Sequence, residues 1–187
     1  MTICKWKACL CAHGWQQELG LNYWETYALV MSWSTVWLVL ILSLIAILCS
    51  HQVDYVQAYL QADIDCDIYM EVLAGFHIIN DSLTRDRMAA RNTNSWDYIL
   101  KLCKNLYGLK QARHNWFQKL CQGLLDCGFM QSKIDPCLFW CNGIFLVMCI
   151  DDCLNFAKTN NIIDTLIESL QMEFTLMDEG DINGFSE

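Results

Sequence analysis

Ile144-Phe145-Leu146-Val147-Met148-Cys149-Ile150-Asp151-Asp152-Cys153 is the stretch whose reading decides the fold: an unbroken apolar run closes on two neighbouring aspartates. Upstream, Cys137 to Cys141 reads as a second short apolar strand. Asn142-Gly143 between the two is the strongest two-residue hairpin signal, because a type I′ turn needs positive φ at both central positions. Asp151 and Asp152 therefore stand at the far end of a predicted β-hairpin. Side by side, two carboxylates raise one another's pKa unless a cation or strong donors neutralise them, so a bound divalent metal is the natural remedy. The plainer reading is a solvated turn before Leu154-Asn155-Phe156.

A third carboxylate in matching context shifts the balance. Asp54 follows Gln52-Val53 and opens Asp54-Tyr55-Val56-Gln57-Ala58-Tyr59-Leu60, a segment of apolar and aromatic β-formers after a long hydrophobic helix candidate. One aspartate leaving a strand, with an Asp-Asp turn much later, makes an oxygen-rich set suited to magnesium, which prefers one or two carboxylates plus substrate phosphates.

Further strings fall in a fixed order around these carboxylates. Tyr23-Trp24-Glu25-Thr26-Tyr27 precedes Val53 to Asp63, then Ile68-Tyr69-Met70-Glu71 with Ala74-Gly75-Phe76, then Leu106-Tyr107-Gly108-Leu109-Lys110-Gln111-Ala112. Gly128-Phe129 and Ser132-Lys133-Ile134-Asp135-Pro136-Cys137-Leu138-Phe139 lead to the Asp151-Asp152 turn. In this order and spacing the chain, from about Lys5 to Phe185, closely resembles the reverse transcriptase of copia-type LTR retrotransposons.

The resemblance implies an α+β polymerase palm, with an antiparallel sheet and packed helices, plus partial fingers. It gives one domain over 1–187 with the family's thumb missing. Asp54, Asp151 and Asp152 match the catalytic, metal-holding aspartates of an RNA-directed DNA polymerase, with Mg2+ as cofactor and Mn2+ as the alternative. The implied partners are an RNA or DNA template-primer and a deoxynucleoside triphosphate. In such enzymes two metals align the primer 3′-hydroxyl with the triphosphate and stabilise the developing charge. Tyr59 matches the aromatic under the nucleotide sugar; its plainer reading is a core aromatic. Lys7, Gly108, Lys110 and Gln111 match nucleotide-binding positions, Gly108 through close backbone approach. For Lys110 and Gln111 a solvated strand-to-helix turn is the alternative.

Departures from the family pattern form a set. Lys7-Ala8-Cys9-Leu10-Cys11 carries Cys9 where the family has a fingers arginine, and Trp37 stands for an arginine in the helix before Asp54. Leu29 and Leu73 replace prolines, His114 replaces an arginine, and Cys149 replaces the tyrosine of the catalytic turn. Arginine to cysteine, tryptophan or histidine and proline to leucine each need one transition in a codon, the pattern of a decaying silent copy. A non-enzymatic remnant of a dead element is thus the competing functional class.

Composition points the same way. With 12 Lys+Arg against 21 Asp+Glu, the net charge is −9 and the pI near 4.7, a field that repels nucleic acid. The 187 residues suffice for one substantial core, and the thumb and ribonuclease H domain into which the family continues past Phe185 are expected to be missing. The 12 cysteines include no C-x-x-C pair, so no zinc site is expected. Without a secretory signal they read as reduced thiols of a cytoplasmic or nuclear chain.

Tyr27 to Ser50 carries no charge and matches the length of a membrane-spanning helix. The favoured expectation is instead a packed helix over about Val36 to Leu48, with membrane insertion through residues 27–50 as the alternative. Helices are also expected from Trp116 to Cys127, with Trp116, Leu120, Leu124 and Cys127 on one stripe, and from Asn160 to Leu170. Strands are expected at Tyr98 to Leu102 and Phe174 to Leu176, and a polar excursion at Ile78 to Ser95.

Overall fold

A computed structural model of the chain describes residues 9–72, 99–149 and 152–181. In chain order it contains Trp33–Ile45 (α1), Cys49–Tyr55 (β1), Ala58–Gln61 (α2), Tyr69–Glu71 (β2), Ile99–Lys101 (β3) and Ala112–Asp126 (α3). Met130–Gln131 (β4), Leu138–Cys141 (β5), Ile144–Cys149 (β6), Asp152–Ala157 (β7), Asn160–Gln171 (α4) and Leu176–Asp181 (β8) follow. Six strands form one sheet in the order β4-β5-β6-β7-β1-β8, and every pairing in it is antiparallel. Strands β2 and β3 make a separate antiparallel pair, with Tyr69 opposite Lys101. The result is the mixed α and β architecture with an antiparallel sheet that the sequence suggests.

The Asn142-Gly143 turn forms as its chemistry requires, with φ of 47° and 80°, and sets Cys141 opposite Ile144. Strand β7 returns along β6 with Cys149 opposite Asp152 as the last pair. The non-local step is the insertion of β1 between β7 and β8, which lays a segment from the first third of the chain beside the last two strands. Alternation along β1 then buries His51, Val53 and Tyr55 on one face and leaves Gln52 and Asp54 half-exposed on the other.

The buried face of β1 carries the main core. Tyr55, Trp116 and Phe174 meet edge to face, with ring centroids 5.2 to 5.8 Å apart. Helix α3 contributes Trp116, Leu120 and Leu124 as one stripe, and α4 contributes Ile163, Leu166, Ile167 and Leu170. Cys127 is not on the α3 stripe: it caps the helix and is exposed. Beyond it, Gly128 at φ 85° lets its own N–H reach Leu125 and the Phe129 N–H reach Leu124, a Schellman stop. The last strand starts at Leu176, not Phe174, which lies before it as a buried ring. The polar excursion at Ile78 to Ser95 lies outside the described residues.

Residues 27–50 do not form a membrane span. Helix α1 ends at Ile45, Ile47 takes a left-handed φ of 51°, and Cys49 already belongs to β1. Thirteen residues reach roughly 20 Å at 1.5 Å per residue, short of the roughly 30 Å hydrocarbon layer. Among the described residues no helix is long and apolar enough to cross a membrane. Val39 and Ser43, one turn apart, are the buried residues of α1, with Val36 and Leu40 packed against the core beside them. Trp37 is 60% exposed and Leu44 79% exposed.

Candidate active site

The sheet register sets two of the sequence-selected carboxylates face to face. Asp54 on β1 pairs directly with Asp152 on β7. Residues opposite one another in an antiparallel pair hold their Cβ atoms about 4.5–5.5 Å apart on the same face. Both aspartates are half-buried there. The Asp152 carboxyl is pushed above its usual range, first by burial, then by the Asp54 charge and by Glu179, while a hydrogen bond from the Gln52 side chain draws it partly back. A group so placed gains from any cation that both carboxylates can share. Asp151, the third member of the set, lies outside the described residues, as does Lys7.

Cys149 is opposite Asp152 at the end of β6. Burial, then Asp152 and Asp135, push its thiol up. It therefore stays a neutral, half-buried thiol beside the carboxylates.

Tyr59 sits on α2, just after Asp54, and its ring is 4.6 Å from that of Tyr107 at 40°. This contact links the end of β1 to the 106–112 segment. The close approach expected at Gly108 is present, and the backbone that approaches is the chain's own. Gly108 has φ +90°, and a Cβ there would lie 2.2 Å from the Ala12 carbonyl oxygen. Alongside, the Ala12 N–H donates to Tyr107 O at 2.7 Å.

Lys110 and Gln111 also turn to partners within the chain. The Lys110 ammonium donates to Gln17 O at 2.9 Å and to the Tyr23 hydroxyl at 3.3 Å, and it lies 4.6 Å over the Tyr23 ring. Gln111 is fully buried; its amide oxygen accepts from Gln17 Nε2 at 2.9 Å and its amide nitrogen donates to Asn22 O at 3.0 Å. Gly108, Lys110 and Gln111 thus clamp residues 12–23 against the start of α3. Sequence reading missed Gln17 and Asn22, which are distant polar residues with no local signature. Gln52 was legible in retrospect, since alternation alone puts it on the Asp54 face.

The family model described as reverse transcriptase (RNA-dependent DNA polymerase) matches residues 1–186. The chain belongs to the reverse transcriptase family. It is 29% identical, over 98% of its length, to the retrovirus-related Pol polyprotein from transposon RE1 of Arabidopsis thaliana, and 27% identical over 95% to that from transposon TNT 1-94 of Nicotiana tabacum. A Gag-Pol polyprotein of the yeast transposon Ty1-DR4, from Saccharomyces cerevisiae, is 27% identical over 66% of the chain. The chain spans 12% and 13% of the length of the two plant relatives. No solved structure matches it.

Within this reverse transcriptase family chain, two more of the positions singled out in the sequence have a described environment. Cys9 is exposed. His114 turns to the chain: its Nδ1 lies 2.6 Å from Tyr27 O and its Nε2 3.9 Å from Glu25.

Proposed function

We propose that this chain is the catalytic-carboxylate segment of a copia-type retrotransposon polyprotein, an RNA-directed DNA polymerase palm whose auxiliary groups have eroded. The observation that carries the reading is the Asp54–Asp152 cross-strand pair, with Asp152 raised by burial and by the charge of Asp54. Two half-exposed carboxylates that repel one another fit a magnesium ion, which asks for few protein ligands and keeps room for phosphate oxygens. Asp54 and Asp152, with Asp151 next to Asp152 in the sequence, would hold Mg2+, or Mn2+ in its place. Bound there, the metal would acidify a primer 3′-hydroxyl and neutralise the triphosphate.

The residues' own tasks follow from their placement. Gln52 orients the Asp152 carboxyl, and Tyr59 on α2 stands next along the chain from Asp54. Lys110 and Gln111 act by holding the 12–23 segment in place. Binding of template-primer is weakened by the net charge of −9 and by the uncharged Cys9.

Single-turnover primer extension on an RNA template, at low salt with Mg2+, tests the proposal. The expected result is addition of a single nucleotide at a rate about 10² to 10³ below an intact polymerase, lost in Asp54→Asn, with no processive synthesis. Equal addition by Asp54→Asn would refute the carboxylate assignment, and long products would refute the erosion. The remnant reading is favoured by the exposed apolar face of α1, and it requires that Asp54→Asn change nothing measurable.

A further inference from the structure

His51 lies three residues before Asp54 on β1 but on the opposite face of the sheet, where the polymerase reading gives it no task. It is 8% exposed. A ring nitrogen of His51 and one carboxylate oxygen each from Asp164 on α4 and Asp178 on β8 all lie within 4.8 Å of one another. His51 Nδ1 stands 3.1 and 3.2 Å from the two Asp178 oxygens. Two ligands on a metal with bonds of about 2.0–2.1 Å are separated by roughly 2.9–3.3 Å when they occupy neighbouring positions. The bulge in β8 fixes this carboxylate further, since the Gly180 N–H donates to Asp178 Oδ1 at 2.9 Å. On the other side of the ring, Asp181 Oδ1 is 3.9 Å from His51 Nε2. Metal-binding histidines commonly give their second nitrogen to a carboxylate, and Asp181 is the carboxylate on that side of the ring, at a distance longer than a hydrogen bond.

Two further features describe the surroundings of the cluster. Among the described residues, His51 is itself the ion-pair partner of Asp178 and Asp181, and no lysine or arginine pairs with either of them or with Asp164. Asn155 on β7 is the direct cross-strand partner of His51 and shares its face of the sheet, on the flank opposite β8. Asn155 is fully buried, and neither amide atom has a hydrogen-bond partner. Leaving a buried polar group unpaired costs about 1–3 kcal/mol, so the buried polar character of this face extends beyond the cluster.

We propose that His51, Asp164 and Asp178 bind a divalent transition-metal ion of the zinc class, which ties β1, β8 and α4 together on the side of the sheet away from Asp54. One imidazole with two carboxylates suits zinc, whereas magnesium favours an all-oxygen set. The cysteine spacing that argues against a zinc site has no bearing here, since all three ligands are histidine and aspartate brought together by the fold. The proposal does not depend on the polymerase reading.

Co2+ titration of the chelator-stripped full chain tests it, with Co2+ as a spectroscopic stand-in for Zn2+. The expected result is one bound equivalent without a thiolate charge-transfer band, displaced by Zn2+ and not by the same concentration of Mg2+. Asp164→Asn, at an exposed helix position, should weaken binding at least about tenfold. His51→Gln should weaken it further, and Asp54→Asn should leave it unchanged. A thiolate band, binding that is indifferent to both Asp164→Asn and His51→Gln, or no saturable binding would each overturn the site.

Discussion

Gly108→Ala separates a structural from a nucleotide-binding role for the 106–112 segment. At φ +90° an L side chain costs about 1–2 kcal/mol. The new Cβ would also fall 2.2 Å from Ala12 O, a backbone atom that cannot rotate aside. Moving it breaks the 2.7 Å hydrogen bond from the Ala12 N–H to Tyr107 O, worth about 0.5–1.5 kcal/mol. The expected loss is therefore about 1.5–3.5 kcal/mol. Gly143→Ala is the internal control, because Gly143 has a similar φ of +80° with nothing within 4 Å of its would-be Cβ. It should cost the strain alone, about 1–2 kcal/mol. Equilibrium urea unfolding reads both, and Gly108→Ala should lower the midpoint clearly more than Gly143→Ala at unchanged slope. Equal losses would refute the close approach of residues 12 and 108. A loss of nucleotide affinity with no loss of stability would return Gly108 to the nucleotide.

Gly123→Ala on α3 should destabilise despite better helix propensity, because its Cβ would lie 2.5 Å from the buried Phe174 ring. Overpacking of about 1–3 kcal/mol exceeds a propensity gain of at most about 1 kcal/mol, as a lowered Tm would report. Trp37→Arg should raise solubility with little change in Tm, since Trp37 is 60% exposed; unfolding would mean that the position is core. The raised Asp152 pKa means that the folded chain binds this proton more tightly than the unfolded one, so its contribution to stability falls as pH rises from the ordinary carboxylate range through the folded pKa. Asp152→Asn should accordingly raise Tm at neutral pH, with the gain vanishing in acid. An acid-independent gain would contradict the assignment.

Local chemistry made much of the fold legible. Asn142-Gly143 specified its turn through the φ values it tolerates, and Trp116, Leu120 and Leu124 announced a buried helix face by their spacing. The Asp54–Asp152 pairing was not readable in register, because it depends on β1 entering between β7 and β8 from far along the chain. The end of the apolar run was missed for a different reason. Hydropathy does not register the left-handed turn at Ile47 that hands α1 over to β1. Lys110 and Gln111 looked like free donors because Gln17, Tyr23 and Asn22 lie in a distant segment, so nothing in the local sequence names their partners.

Calorimetric titration with Mg2+, in an Asp164→Asn background that disables the zinc-class site, addresses the catalytic assignment most directly. Saturable Mg2+ binding that is lost in both Asp54→Asn and Asp152→Asn is the predicted result. Mg2+ affinity that survives both substitutions would contradict it, and would leave the paired carboxylates as a destabilising feature of the sheet with no catalytic purpose.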